Sequence, residues 1–510
     1  MKNCAVVDIS PVRKGMNLPK KVMVFDTTLR DGEQTPGIAI TAEQKKDLAF
    51  ALDGLGVDVL EAGFPRTSAG ERQVFKDLSS RGLRHAKLCG LARCDKEDID
   101  AVVDSGANYV HIFIATSPLH MKHKLHLSQE QVLEKAVECT EYVKARGALC
   151  EFSAEDATRS EYPFLEQVYC AVQAAGADKI NVPDTVGATV PPMMRLLVSR
   201  LAKKIKIPIA VHCHDDFGLA VANSLAAVEG GARQVHCTIN GIGERAGNAS
   251  LEETVMALKV IYGVGSNVQS EKLYSVSQLV SRYTKAWPAI NKAIVGENAF
   301  SHGAGIHVHG VLGNALTYEP IDPAIVGQRR KIVYGKLTGI HAIESRVREM
   351  GLNPSPGQLE AILAQVKRLG DAGKAVRDAE LEAIASEAVG KKKMKKVLLE
   401  DAQIITSKNK PPLASVTLRV AGKLAEAKNV SGDGPVDAAL KAMQAAISRT
   451  RHVRLKDYRL EAIGGGSDAL CEVKVVLEDL QGNEAVGHAV GGDIVMASVE
   501  AMVDGLNGLL

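Results

Sequence analysis

IPIAVHCHDDFGLAVANSLAAVEGGARQVHCTING, residues 207–241, reads as strand, helix, strand. Its two apolar runs, IPIAVHCHDD (207–216) and QVHCTING (234–241), are short and uninterrupted, as in strands buried on both faces. Toward the N-terminus the same beat recurs. VMVFDTTL (22–29), VDVLEAG (57–63), AKLCGLA (86–92), YVHIFIAT (109–116), LCEFSAED (149–156) and KINVPDT (179–185) are each followed by a helical pattern. Eight strand–helix units at roughly 30 residues apiece predict a parallel (β/α)8 TIM barrel. A doubly wound sheet would have fewer strands and a Gly-rich nucleotide turn, and neither is seen.

Local signals agree with the beat. Thr41 with Gln44, and Ser128 with Gln131, have the spacing of capping boxes. Pro191 and Pro192 open a helix where a missing N–H costs little. Val132, Ala136, Cys139 and Val143 share one helical face, as a helix wrapping a barrel requires.

After about residue 265 the beat stops. Residues 266–400 are mostly helical in pattern, interrupted by FSHGAGIHVHGVLGN (300–314). KKKMKK (391–396) reads as a solvated helix end or linker. Asn409-Lys410-Pro411-Pro412 reads as a boundary. Beyond it ASVTLRVAG, YRLEAIGGG and CEVKVVLEDL alternate like half-exposed strands, interspersed with the helical patterns of 435–450 and 494–506. No repeat beyond the strand–helix unit is expected. The predicted organisation is an extension (1–21), a barrel (22–290), linker subdomains (291–410) and an α+β domain (411–510).

Composition narrows the function. The chain has 510 residues, 62 basic and 60 acidic side chains, and 4% aromatics. That balance speaks against a nucleic-acid or membrane-surface partner. No apolar run approaches the length of a membrane span, and the first 21 residues lack a secretory core, so a cytoplasmic protein is expected. The nine cysteines include no CxxC pair, which argues against a disulfide framework or a cysteine zinc site.

In such a barrel the working residues stand at the C-terminal ends of the strands. His212 and His214, two apart on one strand, point to the same side and form a natural chelate. Asp31 could add a carboxylate from strand 1, which lies beside strand 8 once the barrel closes. Asn248 could add an amide oxygen. Two nitrogens and two oxygens suit Mn, Zn, Mg or Co rather than calcium. Arg30 at the mouth could stabilise enolate or alkoxide charge, or pair with a carboxylate such as Glu155 or Asp184. Glu155 could be an orienting residue or a general base. GIGERAGN (241–248) lacks the P-loop spacing, and reads first as a tight loop delivering Asn248. His302, His307 and His309 among glycines read as a mobile functional loop or an ordinary connector.

FDTTLRDGEQTPG (25–37), the run 212–253 and GIHVHGVLGN (305–314) resemble the acyl-CoA condensing family of 2-isopropylmalate, homocitrate and citramalate synthases. The resemblance covers nearly the whole chain. It implies a metal-dependent Claisen-like condensation of acetyl-CoA, as co-substrate, with a 2-oxo acid, then thioester hydrolysis. Implied metal ligands are Asp31, His212, His214 and Asn248, with Mn2+ foremost. Implied catalytic residues are Arg30, Glu155, His307 and Tyr318. Implied substrate-binding residues are Arg30, His111, Ser153 and Thr185. A homodimer is implied, in which the linker reaches the partner subunit's barrel.

EAGFP (61–65), GLARC (90–94), FIATSP (113–118) and NVPDTVG (181–187) are more similar to the branch that takes 2-oxoisovalerate, the first step of leucine biosynthesis. Pyruvate, as in citramalate synthases, is the alternative. A homocitrate synthase, an acyl-CoA lyase and a catalytically dead amino-acid sensor follow behind. GGGSDAL (464–470) and GGDIVMASVEAMVDGLN (491–507) resemble a leucine-sensing regulatory domain, so a leucine effector is expected there. GKLTG (335–339) departs from the family's GKHSG, and Gly303 stands where relatives carry an acid.

Overall fold

The computed structural model describes residues 4–371, 376, 378–390, 396–447, 453–463 and 470–509. All eight anticipated strands form. They are β1 (Met23–Asp26), β2 (Val59–Glu61), β3 (Lys87–Arg93), β4 (Tyr109–Ala115), β5 (Leu149–Glu155), β6 (Lys179–Asp184), β7 (Ile209–Cys213) and β8 (Gln234–Cys237). They pair in chain order, all parallel, into a closed barrel. The closing seam joins β1 to β8, with Phe25 opposite His236 and Asp26 opposite Cys237. Both anticipated capping boxes are made, and Pro191 begins the helix Pro191–Lys204.

Side chains on the outer barrel face, such as Val24, Leu60, Val110, Ile180 and Val235, are buried against the surrounding helices in one apolar core. The inward face is unusually polar. Phe25, Val59, Cys89 and Tyr109 form a small apolar layer. Glu151 accepts hydrogen bonds from Tyr109 Oη (2.5 Å) and Gln234 Nε2 (2.8 Å), and lies 2.6 Å from His236 Nε2. Burial opposes ionisation of Glu151, but His236, Lys179 and His111 hold its carboxyl far below the usual range.

The chain divides into two compact units between Glu382 and Ala383. In the first unit, residues 301–371 add a small parallel pair, β9 (Ser301–His302) with β10 (Lys331–Ile332), and the helices Gly305–Gly313, Ile340–Glu349 and Pro356–Asp371. The stretch expected to be a mobile His/Gly loop is therefore largely helical. His302 is held by Glu319 at 2.9 Å, and Arg330 also grips that carboxylate.

The second unit holds two antiparallel three-stranded sheets. One is β11 (Val397–Ser407), β12 (Lys410–Val420) and β13 (Lys423–Ser431), followed by the helix Pro435–Ile447. The other is β14 (Val453–Ile463), β15 (Leu470–Asp479) and β16 (Glu484–Gly491), followed by the helix Ile494–Leu509. The three-strands-then-helix order occurs twice, a duplication missed in the sequence because the halves share pattern rather than wording. The boundary anticipated at 409–412 is corrected. Lys410 pairs with Ser407 in a hairpin, and the two prolines stand at the start of β12, where a strand tolerates them. Residues 391–395 and 464–469, which carry most of KKKMKK and GGGSDAL, lie outside the described residues. All nine cysteines are free thiols. No helix among the described residues is long and apolar enough to cross a membrane.

Candidate active site

Barrel closure brings the ends of β1 and β7 together at the C-terminal mouth. His212 Nε2 lies 3.2 Å from Asp31 Oδ2, and His214 Nε2 lies 3.7 Å from the same oxygen. The imidazole rings stand edge to face with centroids 4.8 Å apart. These three buried side chains offer ligand atoms that all fall within 4.8 Å of one another. Asn248 joins them through an isolated antiparallel bridge to His214. Its Oδ1 is buried without a hydrogen-bond partner, while its Nδ2 donates to Ile242 O at 3.2 Å.

The donor set and this orphaned oxygen fit a divalent cation. One ion could take two imidazole nitrogens, a carboxylate and an amide oxygen, and keep positions open for substrate. Burial pushes His212 down to about 3, so its ring is a neutral ligand. Burial alone would raise Asp31. Arg30 beside it and the two histidines hold the carboxyl well below its ordinary value instead.

Two glycines make this geometry feasible. A Cβ on Gly187, whose φ is +56°, would meet His214 O and Asp216 N at 2.8 Å. A Cβ on Gly243 would come within 2.0 Å of Asn248 Nδ2. The loop itself is pinned by Arg245, which donates to Asp216 and to Thr185 O. Arg245 sits at φ +57° and Asn240 at +62°, left-handed conformations held by surrounding contacts.

Arg30 does not pair with Glu155 or Asp184. Its Nη1 donates to Asp31 Oδ2 at 2.8 Å and its Nε to Glu61 Oε2 at 2.6 Å. Burial pushes the Glu61 carboxyl up, but Arg30 and His111 bring it down to about 2. From Glu61 a buried chain continues: His111 Nδ1 at 2.6 Å, then from His111 Nε2 to Ser153 Oγ at 2.6 Å, where Asn181 Nδ2 also donates. Glu61 and Asn181 were absent from the candidate residues. Their signal was a polar side chain placed inward within an otherwise apolar run.

The remaining candidates are more dispersed. Glu155, at the end of β5, is gripped by Lys124 Nζ at 2.6 Å and lies 3.5 Å from His120 Nδ1. Thr185 Oγ1 accepts from Asp156 N at 2.9 Å. His307 and Tyr318 stack on each other, centroids 4.2 Å apart, and both are exposed. Leu337, within GKLTG, is 68% exposed.

Comparison with known proteins adds three family matches. Residues 21–280 match the HMGL-like model, 294–374 the homocitrate synthase post-HMGL domain-like model, and 375–510 the LeuA allosteric (dimerisation) domain model. The chain is 54% identical to a 2-isopropylmalate synthase of Methanocaldococcus jannaschii, covering 98% of this chain and 97% of the relative. It is 51% identical to a probable 2-isopropylmalate synthase of Methanopyrus kandleri, covering 96% and 99%. It is 47% identical to an (R)-citramalate synthase of Methanocaldococcus jannaschii, covering 96% and 99%. With an HMGL-like barrel over half its length and this identity from end to end, the chain belongs to the 2-isopropylmalate synthase family.

Proposed function

We propose that the chain condenses acetyl-CoA with 2-oxoisovalerate and hydrolyses the thioester, releasing 2-isopropylmalate and CoA. The observation that carries this reading is the convergence of His212 and His214 on Asp31 Oδ2, with Arg30 held against the same carboxylate. The choice of the branched acid is supported by the full-length identity, 54% to a 2-isopropylmalate synthase against 47% to a citramalate synthase.

In this reading Asp31, His212, His214 and Asn248 hold a divalent cation, Mn2+ foremost, with Mg2+, Zn2+ and Co2+ as alternatives. Bound there, the cation supplies Lewis-acid polarisation of a 2-oxo acid. Arg30 has two nitrogens committed to Glu61 and Asp31, and its Nη2 has no partner among the described residues. That group is placed to steady developing oxyanion charge. Thr185 contacts the substrate carboxylate, and His111 and Ser153 complete the substrate-binding set. A base drawn from His307, Tyr318 and Glu155 takes a proton from the acetyl methyl. The carbanion adds to C2 of the 2-oxo acid, the new alkoxide is protonated, and water then cleaves the thioester to free the CoA thiol. The chain works as a homodimer in which His307 and Tyr318 serve the partner's barrel. A leucine effector acts on the second unit.

A thiol-release assay with acetyl-CoA and a panel of 2-oxo acids tests the reading. CoA release with 2-oxoisovalerate above all others is expected. Preference for pyruvate would move the chain to the citramalate branch, and no release with any acid would remove the reaction.

A further inference from the structure

Below the mouth, the barrel interior holds buried polar side chains that the proposed reaction leaves unused. Glu151 on β5 is surrounded by Tyr109, Gln234 and His236, and all four are buried. Tyr109 Oη and Gln234 Nε2 donate to the Glu151 carboxylate, and His236 Nε2 lies 2.6 Å from its Oε1. Lys179 Nζ donates to Gln234 Oε1, which turns the amide nitrogen of Gln234 toward Glu151. An ionised carboxylate only accepts, so Nε2 is the nitrogen of His236 that carries the hydrogen. One acid on β5 thereby ties β4 to β8, across the interior of the ring.

Strand register decides what the His236 ring touches. Its ladder neighbours are Phe25 on β1 and His212 on β7. The ring stacks flat on Phe25, with centroids 4.0 Å apart and planes 6° from parallel. It meets His111 at 5.5 Å and His212 at 5.6 Å, both nearly perpendicular. Phe25 on its face, His111 at its edge and Glu151 on Nε2 hold the ring in place, in an interior packed too closely for it to swing. It is therefore a fixed wall beside His212. His212 Nε2 faces Asp31, while its Nδ1 is buried with no partner among the described residues. A metal-binding histidine ordinarily has its second nitrogen oriented by a hydrogen bond. His212 has no such bond among the described residues, so packing is left to orient it.

We infer that Glu151 and His236 are a positioning pair: the acid fixes the His236 ring, and that ring orients the His212 imidazole for the cation. The inference rests on the proposed metal site. Neither member touches substrate or cation. His236 acts through His212, and Glu151 acts through His236.

Co2+ reads the pair without turnover. The full-length chain, freed of metal by dialysis, is titrated with Co2+ and followed by calorimetry and by the visible absorption of the bound ion. His236→Ala removes the wall, and Glu151→Met, of similar length, removes its anchor. Each is expected to weaken Co2+ binding about 10- to 100-fold, the usual cost of losing a group that orients a ligand, and to shift the absorption bands. Tyr109→Phe takes a different donor from the same carboxylate and leaves His236 in place. It is expected to lower Tm while Co2+ affinity and spectrum stay those of the wild type. The two variants enter the pair from opposite ends, so loss of fold in one leaves the other to decide. Wild-type affinity and spectrum in a folded His236→Ala or Glu151→Met protein would overturn the pairing. Equal weakening by Tyr109→Phe would overturn it too, because a merely structural network does not distinguish its donors. A wild-type chain that binds no Co2+ would instead remove the metal site, and the pairing with it.

Discussion

Glu61 Oε2 accepts a hydrogen bond from Arg30 Nε at 2.6 Å, deep under the mouth of the barrel. The same carboxylate binds His111 through its other oxygen, so one buried acid orients both a guanidinium and an imidazole. Glu61→Gln keeps the shape and removes the charge. We expect kcat with 2-oxoisovalerate to fall about 10- to 100-fold while bound metal stays constant, the usual cost of losing an orienting partner. Loss of the metal together with activity would assign Glu61 a different role.

His212→Ala and Asn248→Ala probe the cation. Each is expected to lower the metal content measured after dialysis, and His212→Ala to abolish turnover, with the far-ultraviolet circular dichroism unchanged. Chelation of the wild type should remove activity reversibly and lower its Tm, since an ion bound only by the folded state stabilises that state.

Gly243→Ala asks whether Asn248 needs its close glycine neighbour. The new methyl would fall 2.0 Å from Asn248 Nδ2, so the amide must turn away. Metal affinity is expected to drop about tenfold, with Tm of the metal-free protein shifted little. Unchanged affinity would mean that Asn248 is not a ligand.

Asp26 gives a pH signature. It is fully buried, and that burial lifts its carboxyl to about 7 against two hydrogen bonds from Thr28. Between about pH 4 and 7 the folded chain keeps a proton that the unfolded chain has released, so stability falls as pH rises. The full loss, up to about 4 kcal/mol, is present above pH 7. Asp26→Asn carries no such charge. The Tm difference, variant minus wild type, should therefore grow from pH 4 to pH 8, and a flat difference would show that Asp26 does not titrate there.

Much of this was legible in the chain before its coordinates. Eight short apolar runs announced eight strands because a parallel barrel buries both faces of each one. His212 and His214 were readable because a two-residue spacing on a strand fixes their common side. Arg30 was read correctly as a mouth residue but with the wrong partners. β2 is the immediate neighbour of β1, whereas β5 and β6, which carry Glu155 and Asp184, are removed from it around the ring. Glu61, Glu151 and His236 escaped notice for a different reason. Glu151 and His236 lie inside their strands rather than at the ends, Glu61 closes β2 without a further polar cluster to mark it, and their pairing partners are 31 to 85 residues distant. The duplication in the second unit stayed hidden because β11, β13 and β16 are exposed edge strands with weak apolar alternation.

Asp31 and His212 are 181 positions apart and meet only once β8, which pairs with β7 on one side, closes on β1 on the other. A ribosome must therefore release almost the entire cylinder before any cation can recognise its place. On the proposed reading the ion is a latch on finished work, fastened only once the cylinder is nearly whole.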